Sequence, residues 1–474
     1  MLRDLSKGWS DPGTELGMYT KGQYPMEKDV DRLLASARKP LEVAPRLHRL
    51  YQGKIEVTPR CRVRDLRDFD VWYTPGVAAP CREIQENEDL VYDYTSKWNT
   101  VAVISDGTRV LGLGDIGPKA AVPVMEGKAL IYKYLGGVDA FPICLDTKDP
   151  DQFIETVKLL HPTLGGVNLE DIEQPKCFYI LERLRRECQI PVWHDDQQGT
   201  AAVTLASLIN ALKVVGKDLS KVRIVFMGAG AANIRVADLI FKAGADPGRC
   251  CMYDSKGALH RNRKDIQENP DFYEKWKVCL TTNSRNSQAP IAEELRGADV
   301  LIALSKSGPG IVNPAWVSEM APGAIVFACS NPVPEIWPWE AKEAGARIVA
   351  TGRSDFPNQV NNSLGFPGIF RGTLDVRAST ITDEMCIEAA AEIASTAEDR
   401  GLSEEYIIPT MEDWEVFPRE ATAVGMKAIE QGIAKKVMSR DDLYRVSEAI
   451  IRDAREKTKL LMEHGFIKHV DEPV

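Results

Sequence analysis

The sequence predicts an α/β protein that contains a doubly wound parallel sheet and a smaller α/β domain before it. Short apolar runs alternate with amphipathic helical patterns along most of the chain, which is typical of parallel strands joined by crossover helices. The glycine turn "MGAGAAN" (227–233) lies between an apolar strand and an apolar helix, as in Rossmann-type domains. At 474 residues the chain exceeds one ordinary core, so two or three domains are expected.

The patterns divide the chain into four parts. The first part is polar, is interrupted by Gly and Pro, and becomes helical around "MEKDVDRLLASARK" (26–39). We predict that it is an N-terminal extension that reaches a partner subunit. The predicted parts are the extension (1–50), the smaller α/β domain (51–200), the Rossmann-type domain (201–377) and a helical C-terminal segment (378–474) that ends in a charged helix (440–465).

The smaller domain begins with two strands and a helix between them. "TVAVISDG" (100–107) and "AFPICLD" (140–146) are short apolar runs typical of buried strands. "EGKALIYKYLGG" (126–137) has helical periodicity and ends in a glycine pair, which is typical of a helix C-terminus.

The segment 165–196 predicts a strand–helix–strand unit. "GVNL" (166–169) and "IPVW" (190–193) are its expected strands, and Pro175 suits the first position of the helix. Units of this length usually form a right-handed crossover between parallel strands. Apolar residues recur at helical spacing between the strands: Phe178, Leu181, Leu184 and Cys188.

The Rossmann-type domain begins with a helix from about Gly199 and continues with alternating strands and helices. The first helix has apolar residues at i, i+3, i+4 and i+7, namely Leu205, Leu208, Ile209 and Leu212. The expected strands lie at the start of 221–245 and within 249–257, 298–305, 324–332 and 346–352.

The composition argues against several partner classes. With 59 basic and 69 acidic residues the net charge is -10, which disfavours nucleic acid or an anionic membrane as main partner. The basic cluster "RLRRE" (183–187) falls within a helical pattern and is interpreted as a solvated face. No apolar run approaches the roughly 18 residues of a membrane helix. Ten cysteines without a CxxC pair, and no apolar leader, favour a reduced cytoplasmic protein.

The glycine turn predicts a site for NAD or NADP. Gly228 permits the tight turn after the strand, and Gly230 lets the backbone approach a pyrophosphate at the helix N-terminus. Asp254 ends the next strand, where an acid accepts hydrogen bonds from the adenosine ribose. The alternative is a glycine turn in a sheet protein without a nucleotide.

Two features leave the choice of cofactor and the helix position open. Asn233 occupies the third small position, where Gly or Ala usually allows close packing, so the helix is expected further out or shifted in register. Lys256, Arg261 and Arg263 follow Asp254 and suit a 2′-phosphate. NAD and NADP therefore both stay open.

Two pairs of acids follow the strands of the 165–196 unit. Glu170 and Asp171 end the first strand, Asp195 and Asp196 end the second, and neighbouring strands lie about 4.8 Å apart. Four carboxylates at one sheet edge repel one another unless protons or a cation neutralise them. Because oxygen ligands suit Mg²⁺ or Mn²⁺, we predict a divalent metal site. The alternative is that the acids cap the helices that follow.

A series of motifs makes the sequence resemble the malic enzyme family, in particular its short-chain bacterial and archaeal-like members. The motifs occur in the family's order over roughly residues 50–380, so the resemblance is highly specific. They are "YTPGVAAPC" (73–81), "SDGTRVLGLGDIGPKAAVPVMEGKA" (105–129), "NLEDI" (168–172), "HDDQQGTA" (194–201), "GAGAAN" (228–233), "SNPVPE" (330–335) and "ATGRSDFPNQVNNSLGFPGIFRG" (350–372).

The resemblance implies oxidative decarboxylation of L-malate to pyruvate and CO₂ with reduction of NAD or NADP. It implies that Lys128 is the general base and that Tyr73 is the general acid. Because neighbouring side chains of a strand point to opposite faces, we expect Asp195 to point away from the metal ligands and to orient or tune Lys128. The implied metal ligands are Glu170, Asp171 and Asp196. The implied cofactor contacts are Thr200, Gly228, Ala229, Gly230, Ala231, Ala232, Asp254 and Asn331. The implied substrate contacts are Arg109, Asn331, Asn361 and Asn362.

These roles carry one electrostatic expectation. A lysine that acts as a base near neutral pH must be uncharged, so burial beside a dication is expected to lower the pKa of Lys128.

Two other functions fit parts of the sequence. Malolactic chemistry would recycle bound NAD and release lactate, and net reduction of added cofactor distinguishes it. A regulator that binds metal and nucleotide without turnover would bind the cofactor but show no activity, and the presence of Lys128 and Tyr73 together with the acids argues against it. The family precedent also favours a homodimer or a dimer of dimers.

Overall fold

The computed structural model describes residues 30–470, with side chains from residue 38 onward. The first 29 residues of the predicted N-terminal extension lie outside this range. The helix expected around residues 26–39 is present from Val30 and continues to Tyr51 (α1).

The first sheet contains four parallel strands. They are β1 (Thr100–Ser105), β2 (Asp139–Cys144), β3 (Gly166–Leu169) and β4 (Val192–His194), in the spatial order β2-β1-β3-β4. Every residue of β1 is buried, as expected of a central strand covered on both faces. The predicted parallel pairing of the 165–196 unit is confirmed, because β3 and β4 are neighbours.

Six further helices belong to this part of the chain. They are α2 (Phe69–Trp72), α3 (Ala78–Glu86), α4 (Val91–Tyr94), α5 (Pro118–Gly136), α6 (Pro150–Leu160) and α7 (Lys176–Glu187).

The second sheet has the predicted doubly wound topology. Its strands are β5 (Ile224–Met227), β6 (Cys251–Asp254), β7 (Gly257–Ala258), β8 (Val300–Ala303), β9 (Ile325–Ala328) and β10 (Ile348–Thr351). The order is β10-β9-β8-β5-β6-β7, and only β7 is antiparallel to its neighbour. The strand order reverses between β5 and β8, which is where such sheets bind dinucleotides.

The helices of the second half follow in sequence. They are α8 (Thr200–Val215), α9 (Ala231–Lys242), α10 (Lys264–Gln267), α11 (Tyr273–Thr281), α12 (Ile291–Glu294), α13 (Pro314–Val317), α14 (Pro338–Glu343), α15 (Phe366–Asp375), α16 (Asp383–Asp399), α17 (Val416–Glu430) and α18 (Arg440–Glu463). The predicted charged terminal helix is therefore present as α18.

Helix α15 follows the second sheet in sequence but packs on the first. A Cβ atom on Gly136 would meet Pro367, and one on Gly166 would lie 2.9 Å from the ring of Phe370. The bare glycines let α15 approach α5 and β3. The chain thereby returns to the first sheet and brings the segment before α15 to its edge.

Helix α8 and the turn before it form one apolar stretch. Asp195–Val215 is long and apolar enough to cross a membrane by length and composition, but 72% of its apolar window is buried inside the protein. It packs against α9 and α16. This is the environment of a core helix.

Two helix starts differ from the expectation. Helix α5 begins at Pro118, eight residues before the predicted start at 126, because Pro123 lies inside the helix and breaks the local pattern. Helix α7 begins at Lys176, so Pro175 lies just outside the helix and not at its first position.

Candidate active site

The four carboxylates lie at one edge of the first sheet. Leu169 and His194, the last residues of β3 and β4, are paired across the sheet. Glu170 and Asp171 follow the first of these strands, and Asp195 and Asp196 follow the second. The sheet edge thus gathers the acids, as the parallel pairing predicts.

A π-helical turn that contains both aspartates follows β4. It spans Asp195–Gly199 and leads directly into α8. A Cβ atom on Gly199 would collide with the carboxylate of Asp195, so this turn requires a glycine. Turns of this type are rare and are frequent at functional sites.

Asp195 contacts Lys128, which reaches the sheet edge from the middle of α5. The Lys128 ammonium is bonded to Asp195 and lies 3.0 Å from Glu170 Oε1. The side-chain amide of Asn362 also donates to Asp195. The Lys128 nitrogen lies 4.2 Å from the centre of the Phe366 ring. The geometry fixes the lysine between two carboxylates and an aromatic face.

The charges around Lys128 act in opposite directions on its pKa. Burial by itself lowers the pKa of Lys128, but the carboxylates of Asp195 and Glu170 outweigh it and leave the pKa above its ordinary value. The lowering expected beside a dication therefore stays a prediction, because it depends on the charge of a cation held by the neighbouring acids.

Three of the acids form a group suited to a divalent cation. Oxygen atoms of Glu170, Asp171 and Asp196 lie within 4.8 Å of one another. Oxygens bound about 2.1 Å from Mg²⁺ lie about 3 to 4 Å apart, so a small inward movement of the side chains would complete such a set.

The hydrogen bonding and the raised pKa values of these acids also suit a bound cation. Asp171 Oδ2 is buried and accepts no hydrogen bond. Burial, together with the Asp196 carboxylate, raises the pKa of Asp171 to about 7, and burial raises the pKa of Glu170 well above its ordinary value. A cation would remove this penalty, because it stabilises the ionised carboxylates.

Backbone groups hold the acids in place. The Asp171 N–H donates to Asp196 Oδ2 at 2.9 Å, and the Leu111 N–H donates to Asp171 Oδ1 at 3.4 Å. Asp171 has a φ of 52°, in the left-handed region that a non-glycine residue rarely adopts. Strained backbone of this kind is common at binding sites.

Sequence reasoning missed two residues that support Glu170. The side-chain amide of Asn168 donates to Glu170 Oε2 at 2.8 Å, and the Tyr132 hydroxyl donates to Asn168 Oδ1 at 2.8 Å. Tyr132 lies four residues after Lys128, on the same face of α5. Helical spacing from Lys128 was the signal that would have found it.

The predicted substrate residues differ in their exposure and in their hydrogen-bond partners. Arg109 is exposed. Burial raises the pKa of Asp196, and the positive charge of Arg109 partly opposes this rise. Asn361 uses its side chain to accept a hydrogen bond from the Ser363 N–H at 3.0 Å, which caps the turn before α15. Asn362 faces Asp195. Of the two neighbouring asparagines, only Asn362 therefore contacts the acid cluster.

Tyr73 lies outside the enclosed part of the site. It follows α2 and is 71% exposed, whereas Lys128 is 9% exposed. A general acid must come within hydrogen-bonding reach of the atom it protonates. Tyr73 therefore lies on the surface of the described chain, whereas Lys128 is enclosed.

The glycine turn after β5 has the geometry expected of a turn that binds a pyrophosphate. Gly228 has a φ of 102°, and a Cβ atom there would collide with the carbonyl of Leu304 at the end of β8. Above Gly230 no protein atom lies within 4 Å of a Cβ position, which leaves room for a pyrophosphate. Of the other expected cofactor residues, Ala229 lies in the turn itself, Ala231 and Ala232 begin α9, and Thr200 begins α8.

Asn233 explains how α9 tolerates a larger residue at the third position. Its side chain is buried and its amide donates to the carbonyls of Met227 and Gly228, at 3.1 and 2.8 Å. Asn233 thus ties the helix to the glycine turn. Asn331, in the loop after β9, is exposed, and its amide would touch a Cβ atom on Gly352.

Comparisons with known proteins agree with this geometry. Residues 52–185 match the family description "Malic enzyme, N-terminal domain", and residues 197–429 match "Malic enzyme, NAD binding domain". The chain is 50% identical to a bifunctional malic/malolactic enzyme from Bacillus subtilis, over 85% of this chain and 96% of that one. It is 49% identical to an NAD-dependent malic enzyme from Geobacillus stearothermophilus, over 81% and 78%.

A solved structure also resembles the whole architecture. The crystal structure of Entamoeba histolytica malic enzyme has 49% sequence identity and a TM-score of 0.91. The similarity covers 95% of this chain and 93% of that one.

Proposed function

This chain belongs to the malic enzyme family, and we infer that it catalyses the oxidative decarboxylation of L-malate to pyruvate and CO₂. NAD or NADP is the electron acceptor, and a divalent cation takes part. The observation that carries the inference is the enclosure of Lys128 by Asp195 and Glu170 beside the three-carboxylate group.

We propose these roles for the residues at the sheet edge. Lys128 takes the proton from the C2 hydroxyl of malate, and Asp195 and Asn362 hold its ammonium group in position. Glu170, Asp171 and Asp196 hold the cation. A cation held there would supply polarisation of the oxygen on C2, and a nicotinamide held at the glycine turn would supply the acceptor for the hydride from that carbon. Arg109 binds a malate carboxylate by charge.

Decarboxylation leaves a carbanion-like C3, which needs a proton. We propose that Tyr73 supplies it from a second copy of this chain, since in its own chain Tyr73 is 71% exposed. Among the described residues, exposed large apolar side chains concentrate in the segment 50–94. They are Leu50, Tyr51, Val57, Val63, Leu66, Phe69, Val71, Trp72, Tyr73, Val77 and Tyr94.

A concentration of exposed large apolar side chains in one segment supports a subunit interface there. We therefore propose a homodimer in which the segment 50–94 of each subunit covers the site of the other. We choose a second copy of this chain as the partner because Tyr73 and the exposed apolar side chains around it in sequence belong to the same segment. One contact between two copies would therefore bury the apolar side chains and bring Tyr73 to a site.

We also propose a cytoplasmic location. All ten cysteines are unpaired, and seven of them are buried or nearly so, including Cys250, Cys251 and Cys329. Unpaired buried thiols suit a reducing compartment.

A coupled assay tests the function. L-malate is supplied with NAD or NADP, with and without Mn²⁺, and reduced cofactor, pyruvate and lactate are measured together. We expect equal amounts of reduced cofactor and pyruvate, and only with the cation. Lactate without net reduction of added cofactor would instead indicate malolactic chemistry, and no turnover would indicate a binding protein.

A further inference from the structure

We propose that Glu335 is a positioning residue that holds the loops after β8 and β9 in the arrangement that binds the nicotinamide half of the dinucleotide. The inference rests on the proposed function, because it assumes that the second sheet binds a dinucleotide at its crevice. It deepens that function by giving a role to a buried acid that lies beneath the loops and acts through them.

The loops after β8 and β9 lie on the nicotinamide side of the second sheet. In doubly wound sheets each half binds one mononucleotide, and an acid at the end of the second strand belongs to the adenosine half. Here Asp254 ends β6, so the adenosine half is expected over β5 and β6 and the nicotinamide half over β8 and β9. Because β8 and β9 are parallel neighbours, their loops leave the sheet at the same edge.

The carboxylate of Glu335 accepts hydrogen bonds from both loops. Oε1 accepts from the N–H of Ser305, in the loop after β8, at 2.9 Å. Oε2 accepts from the N–H of Ser330, in the loop after β9, at 3.1 Å. The hydroxyls of Ser330 and Ser305 also donate to Oε1, at 2.5 and 3.3 Å. One side chain therefore joins the first residues of two separate loops.

The surroundings of Glu335 make these bonds costly to lose. The side chain is fully buried, and burial raises its pKa, while the hydrogen bonds from Ser330 and Ser305 oppose this rise. A backbone N–H can only donate, so each carboxylate oxygen is fixed as an acceptor. A buried polar group that loses its partner costs its full desolvation free energy. The carboxylate thus favours one arrangement of the two loops.

Further bonds make the two loops one unit. The Ser307 hydroxyl donates to the Val333 carbonyl at 3.0 Å and accepts from the Val333 N–H at 3.1 Å. The Gly308 N–H donates to the same carbonyl at 3.2 Å. Asn331 lies between the bonds to Glu335 and those to Val333. A displacement of either loop at Glu335 would therefore also displace Asn331.

This unit faces the proposed reaction centre. The Asn331 carbonyl lies 3.9 Å from a Cβ position on Gly112, in the loop after β1 that also carries Arg109. At the other side, the Leu304 carbonyl would collide with a Cβ atom on Gly228 in the glycine turn. The loops thus lie between the proposed pyrophosphate site and the proposed malate site, where a nicotinamide must be oriented for hydride transfer.

Nucleotide binding without malate tests the proposal. Glu335→Gln keeps the size of the side chain but replaces one oxygen by an NH₂ group, which cannot accept from the N–H of Ser305 or of Ser330. Calorimetry measures the affinity of the full chain for 5′-AMP and for NADH or NADPH, whichever the unaltered protein binds more tightly. The reduced dinucleotide contains both halves, and 5′-AMP contains only the adenosine half.

We expect Glu335→Gln to weaken binding of the reduced dinucleotide about tenfold, because a charge-assisted hydrogen bond is lost and one loop is displaced. The affinity for 5′-AMP should stay within about twofold. Ser330→Ala is the milder variant, since it removes one hydroxyl and keeps both N–H bonds to the carboxylate. It should weaken the reduced dinucleotide about threefold with the same selectivity.

Glu340→Gln is the matched control, because Glu340 accepts from the Trp337 N–H at the start of α14. Equal losses for the reduced dinucleotide and 5′-AMP would overturn the proposal, since they would indicate a general loss of structure. An unchanged affinity for the reduced dinucleotide in Glu335→Gln would also overturn it, and Ser330→Ala decides in the same way if Glu335→Gln does not fold. Failure of the proposed function appears separately, as absence of malate turnover by the unaltered protein with both cofactors.

Discussion

At the scale of single residues, the site depends on two neighbouring aspartates that have different partners. Asp195 is fully buried and contacts Lys128 and Asn362, whereas Asp196 lies with Glu170 and Asp171. Strand geometry would also point them to opposite sides, but the π-helical turn keeps both near one sheet edge. One acid thus faces the proposed base and the other the proposed metal.

The assignment of Asp196 predicts a separable loss. Asp196→Asn keeps the size of the side chain but removes a charged metal ligand, so metal-dependent turnover is expected to fall at least about a hundredfold. The dinucleotide affinity should stay within about twofold, because the glycine turn lies on the other sheet. Steady-state kinetics over a Mn²⁺ titration and NADH fluorescence measure the two effects. Turnover with unchanged Mn²⁺ dependence would contradict the ligand assignment.

At the scale of elements, close approaches between turns and helices position these side chains. Gly199 lets the turn after β4 fold over the Asp195 carboxylate. Gly368 lets α15 pack against Glu420 of α17, whose carboxylate would collide with a Cβ atom there. Each contact fixes a segment that bears site residues, Asp195 in the turn and Phe366 in α15.

Gly199→Ala is expected to displace Asp195 and, through it, Lys128. Overpacking a buried turn typically costs about 1 to 3 kcal/mol of the free energy of unfolding. We expect kcat of the folded variant to fall, even though the circular dichroism spectrum shows that the fold is retained. The loss of kcat is expected to exceed what the loss of folded protein accounts for. Ala201→Gly, two residues along, is the control, because it costs about 1 kcal/mol without a collision. Equal kcat in the two variants would show that the turn does not position Asp195.

Glu420 predicts a dependence of stability on pH. It is fully buried, both of its oxygens lack hydrogen-bond partners, and burial raises its pKa well above the ordinary value of 4.5. Above pH 4.5 the unfolded chain releases this proton while the folded chain keeps it. The stability contribution of Glu420 is therefore lost as pH rises, by about 1.4 kcal/mol per pH unit up to its raised pKa.

Glu420→Gln removes the titrating group and should flatten the decline in melting temperature between about pH 5 and pH 8. Glu430→Gln is the control on the same helix, because Glu430 is 70% exposed. If the two variants decline in parallel with the unaltered protein, Glu420 is ionised in the folded state and the assignment is wrong.

At the scale of the whole molecule, one chain encloses the base and the acids but leaves Tyr73 on an apolar surface. Helix α15 returns from the second sheet to the first and carries Phe366 to Lys128. The segment 50–94, in contrast, keeps its large apolar side chains exposed. The proposed dimer would cover this segment and complete the site.

Subunit mixing tests this arrangement. Tyr73→Phe and Lys128→Ala homodimers are each expected to be nearly inactive. If Tyr73 acts on the partner's site, each mixed dimer contains one complete site, and random exchange of equal amounts restores about a quarter of full activity. If Tyr73 acts within its own chain, mixed dimers contain no complete site. Activity that stays at the level of the separate variants after exchange, verified by differential tags, would therefore contradict the proposal.

The sequence by itself determined the fold class and most of the chemistry. Alternating strand and helix patterns predicted both parallel sheets, and the doubled acids after two adjacent strands predicted a shared edge. These inferences succeed because strand pairing within one unit is a local property of the chain. The pattern also predicted α18, whereas the internal Pro123 hid the first turns of α5.

Only the tertiary structure decided how distant residues share the site. Asn362 and Phe366 lie more than 160 residues from Asp195 in the chain, and no local period links them. Likewise, the sequence places Arg263 after Asp254, but only the folded hairpin shows that the two charges cancel. Contacts of this kind depend on how helices and loops from separate sheets pack, which short-range sequence patterns do not specify.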